Sequence, residues 1–178
     1  MYFKKLVGKK CYLSPMDVND GEKIAEWFND LEVTVNLTLY SDATTVDAGK
    51  GFVNNFSKNH TYSIIDINTD EMIGECGFMC IDNLNQTAEL GIVVGNKKYW
   101  NKGYGSEALK LLLNYGFKAL NLHNVLLDVY SFNKNAKRCY EKIGFKEIGK
   151  RREALYRDLK NYDIIFMDIL ANEFYEKK

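Results

Sequence analysis

The sequence predicts a mixed α/β (α+β) fold in which helices cover both faces of a mostly antiparallel sheet. Three observations lead to this fold class. Three strand-like runs between residues 62 and 94 are joined by short polar turns, a long amphipathic helix follows them, and a strand, a helix and two further strands complete the chain. With 178 residues and 46% hydrophobic residues, the chain can bury one core. We therefore expect a single domain over residues 1–178.

The amino-terminal third is predicted to hold one strand and two helices. Cys11–Leu13 forms a short strand that stops at Ser14-Pro15, and Asp17 opens a helix with apolar residues on one face. Residues 34–50 are ambiguous between loop and helix. A second helix over 46–56 is compatible with the pattern despite two glycines in it.

The middle of the chain is predicted to be a meander of antiparallel strands. Polar turns separate its three strands, which are expected at 62–67, 72–81 and 87–94.

After the meander, the pattern changes to alternating helices and strands. Residues 106–120 have apolar side chains at helical spacing, and 125–130 is an apolar, buried strand. The remaining elements are a helix at 135–143 closed by Gly144, and two strands at 145–156 and 162–170.

Composition excludes several classes of protein. Equal numbers of acidic and basic residues, 24 each, argue against binding nucleic acid by bulk charge. No apolar run is long enough to span a membrane, and the first residues do not resemble a signal peptide. The four cysteines lack CxxC spacing, so we expect no metal site and a cytoplasmic protein with reduced thiols.

A glycine-rich turn lies between the third meander strand and the long helix. It reads Trp100-Asn101-Lys102-Gly103-Tyr104-Gly105-Ser106. Glycines let backbone N–H groups approach a ligand, and the positive end of the helix dipole favours phosphate there. An ordinary helix start is the simpler alternative. A dinucleotide site is disfavoured because residues 95–102 separate the strand from the first glycine.

A second motif follows the buried strand. Asn133, Ala136, Tyr140, Gly144 and Phe145 fit the pattern NxxAxxxYxxxGF. Together with the glycine-rich turn, this segment resembles the GCN5-related N-acetyltransferase (GNAT) superfamily.

Other segments refine the resemblance. The opening 13–17 and the segments 88–91 and 99–109 resemble the ribosomal-protein (RimJ/RimL-type) branch, and 115–122 also resembles spermidine acetyltransferases. Trp100 departs from the family's frequent Gln or Arg at that position, so its side chain has no supported role near the pyrophosphate.

The resemblance implies the GNAT fold, with a central parallel strand pair that splays apart to admit acetyl-CoA. This pair is expected to be the strand ending near Val94 and the strand at 125–130. Backbone groups of the strand ending near Val94 would pair with the pantetheine arm. Amides of the turn would hold the pyrophosphate, and Asn133 would bind the arm. The cofactor-binding residues expected on this basis are Ile92, Val93, Val94, Trp100, Asn101, Lys102, Gly103, Tyr104, Gly105, Ser106, Asn133, Asn135, Ala136, Lys137 and Tyr140. Lys102, Lys137 and Arg138 are the candidate cationic partners of the phosphates.

Two residues are candidates for catalysis. The resemblance places Tyr140 beside the thioester sulfur, where its hydroxyl would hydrogen-bond to the departing thiolate. Glu89 is the best candidate for the base that deprotonates the amine, directly or through water; a surface carboxylate is the alternative. A lysine-like amine with a pKa of ~10.4 needs such a base far more than an α-amine at ~7.7–8.0. Acyl transfer through Cys139 is disfavoured because no histidine is near it in sequence.

The acceptor is less constrained than the cosubstrate. A protein N-terminal amine is the leading interpretation, a polyamine the close alternative, and an antibiotic amine a third. A non-catalytic acyl-CoA-binding module is disfavoured by the presence of Tyr140. Acidic residues predominate between 15 and 48, which favours either a cationic acceptor or simply a solvated helix face. Either a monomer or a homodimer is expected.

Overall fold

The computed structural model describes residues 1–56 and 60–176, which form one mixed sheet with helices. The strands are β1 (Leu6–Val7), β2 (Cys11–Pro15), β3 (Thr61–Asp66), β4 (Met72–Asp82), β5 (Thr87–Val93), β6 (Asn124–Tyr130), β7 (Lys146–Arg157) and β8 (Lys160–Leu170). The helices are α1 (Gly21–Phe28), α2 (Leu31–Thr34), α3 (Val46–Phe56), α4 (Tyr104–Ala119), α5 (Lys134–Ile143) and α6 (Ala171–Glu176). Strand order in the sheet is β1-β2-β3-β4-β5-β6-β8-β7. The predicted fold class is confirmed.

The chain is organised as two compact units. Unit 1 comprises Met1–Met79 and Gly91–Tyr115, and unit 2 comprises Cys80–Leu90 and Gly116–Lys178. The strands β4 and β5 and the helix α4 each begin in one unit and end in the other. A single domain over 1–178 stays a prediction, and its residues 57–59 and 177–178 lie outside the described part of the chain.

Unit 1 is built on antiparallel strands covered by two helices. The pairs β1–β2, β2–β3 and β3–β4 are all antiparallel. One core cluster joins side chains of these strands to side chains of α1, α3 and the segments around them, and its buried members are Tyr12, Met16, Ile24, Trp27, Phe28, Val33, Val53, Ile65 and Met72. The predicted helix over 46–56 is confirmed as α3. Its Gly49 is explained by packing, because a Cβ there would lie 2.2 Å from the Gly21 carbonyl oxygen.

Unit 2 contains the parallel pair that the sequence predicted. The amino-terminal part of β5 runs parallel to β6 through three residue pairs, which end at Glu89 and Leu126. The strand β6 then pairs antiparallel with β8, and β8 with β7. Gly144 ends α5 with a φ of 131°, which confirms its predicted capping role.

Several short elements were not predicted. The strand β1 has two residues and α2 has four, which is too few for a periodic pattern. The helix α6 follows β8 directly, without a separating turn signal. The strand β2 continues through Pro15, which pairs with Tyr62 as the last residue of the strand, where a missing N–H is tolerated.

Candidate active site

The glycine-rich turn of unit 1 presents a row of backbone N–H groups. The helix α4 begins at Tyr104, two residues earlier than predicted, so Tyr104, Gly105 and Ser106 all lie in its first turn. The first N–H groups of a helix have no partner within it, and they carry the positive end of the helix dipole. Asn101 and Gly103 both have positive φ, 58° and 85°, so the backbone curls immediately before the helix. This arrangement suits an anion held by amides.

The two glycines of the turn have different explanations. The backbone of Gly103 has a φ of 85°, which other residues rarely adopt. Gly105 has no such constraint, because a Cβ there would meet Val94 and Ile92 side chains at ordinary distances of 3.5 and 3.6 Å. Nothing in the described protein therefore requires glycine at 105, which is consistent with close approach by a ligand.

Side chains around the turn fix its position within unit 1. The Trp100 indole Nε1 donates a hydrogen bond to the Val94 carbonyl at 2.6 Å, which ties the turn to the end of β5. The Tyr104 hydroxyl donates to Asp66 at 2.5 Å, and this bond raises the pKa of Tyr104 to about 12. Both aromatic side chains thus have structural partners, and only their backbones remain for the predicted phosphate contact. The Val94 carbonyl, predicted to pair with pantetheine, already accepts this hydrogen bond from the Trp100 indole.

One cation at the turn was missed by the sequence analysis. Lys10 Nζ donates to the Lys102 carbonyl at 2.7 Å, and it lies 3.5 Å from where a Cβ of Gly103 would be. The backbone N–H of Lys10 donates a 2.7 Å hydrogen bond to the Glu107 carboxylate. Because Lys10 is 92 residues away from Lys102 in sequence, no local pattern could have revealed it.

Unit 2 contains two carboxylates on one face of the parallel pair. Glu89 is the register partner of Leu126, and Asp128 lies two residues further along β6, so the two carboxylates project on the same side. Glu89 and Asp128 are both exposed to solvent. Partial burial and then the charge of Glu89 raise the pKa of Asp128. Asp128 was not among the predicted site residues, because its nearness to Glu89 depends on the strand register.

Tyr140 lies on α5 in the same unit and is half-buried. Burial raises the pKa of Tyr140 well above its ordinary value, and the nearby Cys139 and Asp128 act in the same direction. Its ring packs edge-on against Phe145 at a centroid distance of 5.9 Å. The phenol therefore stays protonated at neutral pH and is a hydrogen-bond donor.

The other predicted residues of α5 have partners of their own. The Asn133 side-chain oxygen accepts from the Ala136 N–H at 3.1 Å, which caps the helix and leaves the Asn133 amide N–H groups as its donors for a ligand. Lys137 forms a 2.7 Å ion pair with Glu147 and a 3.8 Å pair with Glu141. Asn135 is exposed at the start of the helix.

The acidic segment of unit 1, residues 15–48, is partly engaged within the protein. Asp17 pairs with the terminal ammonium of Met1 at 2.8 Å, and Asp30 pairs with Lys97 at 2.7 Å. Glu32 also pairs with Lys97, and Asp20 accepts from the Tyr2 hydroxyl. Three of the eight carboxylates between residues 15 and 48 thus form ion pairs, and the aromatic residues near them, including Trp27 and Phe28, are core residues.

A cleft of about 320 Å³ lies elsewhere in unit 1 and includes no predicted site residue. It is lined by Met1, Phe3, Pro15, Met16, Asp17, Val18, Val53 and Asn54. Within the described residues, no three metal-binding side chains come together. None of the helices in 1–56 and 60–176 has the length and apolar character needed to traverse a lipid bilayer.

Comparisons with known proteins identify the family. A family model described as an acetyltransferase (GNAT) domain matches residues 10–146. The uncharacterized N-acetyltransferase p20 of Bacillus licheniformis is 30% identical over 174 residues, which cover 95% of this chain and 97% of p20. YdaF of Bacillus subtilis, named as a ribosomal N-acetyltransferase, is 31% identical over 106 residues, covering 58% of this chain and 57% of YdaF.

A solved structure agrees in fold. Spermidine N-acetyltransferase from Vibrio cholerae, in complex with CoA and spermine, superposes with a TM-score of 0.83 at 22% identity, covering 94% of this chain and 99% of that one. The chain therefore belongs to the GNAT family and is an N-acetyltransferase that uses acetyl-CoA.

Proposed function

We propose that this N-acetyltransferase transfers the acetyl group directly to a primary amine in a ternary complex, and that the acceptor is the α-amine of a protein N-terminus. The observation that carries the direct mechanism is Tyr140, a desolvated phenol kept protonated by its surroundings. It occupies the tyrosine position of the NxxAxxxYxxxGF motif.

Acetyl-CoA is held, in this proposal, mainly by backbone groups. The amides of Asn101–Ser106 bind the pyrophosphate, with Lys10 and Lys102 as nearby cations. Ile92–Val94 pair with the pantetheine arm. The Asn133 amide N–H groups donate to the arm, since the side-chain oxygen caps α5. Each amide bond to a charged oxygen contributes on the order of 1.5–3 kcal/mol.

In the transfer step, the amine nitrogen attacks the thioester carbonyl carbon. A C–N bond forms, the C–S bond then breaks, and the amine loses one proton. Tyr140 donates a hydrogen bond or its proton to the departing sulfur. Full proton transfer from an unperturbed phenol is uphill because a thiol has a pKa of ~8.5 against ~10 for tyrosine. The raised pKa of Tyr140 makes hydrogen bonding the dominant contribution.

Glu89 is proposed as the base that accepts the amine proton, with Asp128 beside it. Partial burial is the main cause of the raised pKa of Asp128, and repulsion from the Glu89 carboxylate adds to it. An incoming ammonium would relieve the repulsion, which favours cationic amines at this position.

The α-amine is favoured over a lysine-like amine by proton chemistry. At neutral pH, deprotonating a lysine-like amine costs roughly 4 kcal/mol. The pKa of an α-amine lies well under one unit above that pH, so its deprotonation costs much less. The relationship to YdaF, whose name assigns it to the ribosome, supports a ribosomal acceptor and the RimJ/RimL-type branch.

A polyamine acceptor is the second candidate. The paired carboxylates Glu89 and Asp128 favour it, as does the spermine-bound neighbour of the same fold. A non-catalytic acyl-CoA-binding module would have no use for Tyr140 and is disfavoured.

An acceptor panel tests the proposal. Peptides with free and blocked α-amines, spermidine, spermine and an aminoglycoside are compared for CoA-thiol release. We expect the highest kcat/KM with free α-amine peptides. Preference for spermidine would move the assignment to the second candidate, and no release with any amine would contradict acetyl transfer to amines. A cytoplasmic location and a monomeric or homodimeric state remain predictions.

A further inference from the structure

A buried polar pair lies in unit 1, outside all the residues assigned above. Ser63 of β3 and Glu75 of β4 are register partners in an antiparallel pair, so their side chains project from the same face. Ser63 is fully buried and Glu75 is 9% exposed. A serine and a glutamate at such positions are unusual, because both are mostly exposed in proteins.

The face that carries this pair is the one covered by α1 and α3. Ser63 is two residues from Ile65 on a strand that pairs regularly with β2, so both project from the same side. Ile65 belongs to the core cluster that includes Trp27 of α1 and Val53 of α3. The pair therefore lies beside this cluster, with Ser63 fully buried and Glu75 still 9% exposed.

Neither side chain has a protein partner among the described residues. The Ser63 hydroxyl oxygen is buried without a hydrogen bond. No hydrogen bond or ion pair joins the Glu75 carboxylate to another described residue, and burial alone raises the pKa of Glu75 to about 7. Leaving a buried polar group unpaired costs about 1–3 kcal/mol, and more when it is charged. The Ser63 hydroxyl is therefore a buried oxygen without a protein partner, opposite a glutamate that keeps 9% of its exposure, and a hydrogen-bond donor placed between them would satisfy both.

The pair is also close to the strand segment proposed to hold the pantetheine arm. Gly74 immediately precedes Glu75. A Cβ on Gly74 would lie 2.2 Å from the Val93 carbonyl oxygen and 2.9 Å from the Val94 Cα. Gly74, the residue before Glu75, thus packs directly against the Ile92–Val94 segment.

We propose that Glu75 and Ser63 form a subsite for an ammonium group of the acceptor. An ammonium has three donors and a positive charge, which match one carboxylate and one hydroxyl oxygen. The ligand assignment rests on the proposed function, in which the acceptor is an amine. The ammonium is either the reacting amine before it loses its proton or a second amine of the same molecule.

Direct binding of small amines in the absence of acetyl-CoA tests the subsite. Isothermal titration of n-butylamine and of 1,4-diaminobutane is compared among the wild type, Glu75→Gln, Ser63→Ala and the matched surface control Glu153→Gln. We expect Glu75→Gln to weaken binding about 10-fold or more, since a charge-assisted bond is lost. Ser63→Ala has a smaller effect in the same direction, and Glu153→Gln has none.

The two amines distinguish the source of the ammonium. Equal weakening for both supports the reacting amine, and weakening for the diamine alone supports a second amine. Absence of binding to the wild type, or unchanged binding in both Glu75→Gln and Ser63→Ala, overturns the subsite.

Acetyl transfer is measured separately on the same variants. If no amine is acetylated although amine binding depends on Glu75, the proposed function fails and the subsite stands. Glu75→Gln is isosteric and Ser63→Ala removes an unpaired hydroxyl, so thermal unfolding is expected to show both variants folded.

Discussion

The two compact units contribute different kinds of chemistry. Unit 1 offers the turn at residues 101–106, whose contacts to a ligand would come from the backbone and whose side chains Trp100 and Tyr104 are bound to protein partners. Unit 2 offers titratable side chains, Glu89, Asp128 and Tyr140, which influence one another electrostatically.

This difference decides which substitutions each unit tolerates. A backbone site depends on conformation, so it is sensitive to the φ of Gly103 and insensitive to most side chains. A side-chain site depends on proton affinity, so it is sensitive to isosteric changes that leave the fold intact. Glu75 is the exception in unit 1, because its proposed role depends on a titratable side chain and not on the backbone. Burial alone raises the pKa of Glu75.

The largest expected effect is on the rate of transfer in unit 2. Tyr140→Phe removes the hydroxyl and keeps the ring that packs on Phe145, so kcat should fall about 10²–10⁴-fold. Acetyl-CoA affinity, measured by calorimetry, should be unchanged. Wild-type turnover in this variant would mean that Tyr140 only packs.

The pH dependence of stability should single out Glu75. Its pKa is raised from 4.5 to about 7, so the folded state holds this proton more tightly than the unfolded chain. Stability contributed by Glu75 is present below pH 4.5 and is lost as pH rises to about 7, a change of about 3 kcal/mol.

Glu75→Gln should remove this loss. Compared with the wild type, the variant gains stability between pH 5 and pH 8 in urea unfolding. Parallel stability profiles for the two proteins would show that Glu75 is solvated or paired. Glu153→Gln is the control with the same change at an exposed position.

The role of Glu89 in the carboxylate pair can be tested by comparing two kinds of acceptor amine. Glu89→Gln should lower kcat/KM about 10- to 100-fold with a lysine-like amine and much less with an α-amine near neutral pH, because only the former needs a strong base. Asp128 should then titrate at lower pH, since the neighbouring charge is gone. Equal losses with both amines would remove Glu89 from the role of base.

The smallest effect concerns the backbone of unit 1. Gly103→Ala should destabilise the protein by about 1–2 kcal/mol, because its φ is 85°, and should weaken acetyl-CoA binding. Gly51→Ala is the matched control. No atom would lie within 4 Å of its Cβ, so the helical position should be stabilised by ~0.5–1 kcal/mol. Similar changes in the two variants would show that the turn has no special conformation.

Much of the fold could be predicted because its long elements have strong periodic patterns. The long helix α4 and the strands β3 to β6 were predicted from such patterns. The helix over 46–56, held only as compatible with the pattern, matches α3, and the parallel partner of β5 was implied by the family resemblance. Short elements such as α2 were missed since four residues carry no period. For the candidate site, motifs revealed the glycine turn and Tyr140. Lys10, Asp128 and Glu75 were missed because register and distant contacts, rather than local pattern, bring them to their positions.

The sequence by itself determined the fold class, the family motifs and the type of chemistry, because these depend on residue identity and spacing along the chain. Only the tertiary structure decided which of those residues are free to act. Pairing across strands placed Glu89 level with Leu126, two residues before Asp128, and Ser63 opposite Glu75. Burial then raised the pKa of Glu75 and of Asp128, since desolvation is a property of the folded surroundings and not of the residue type.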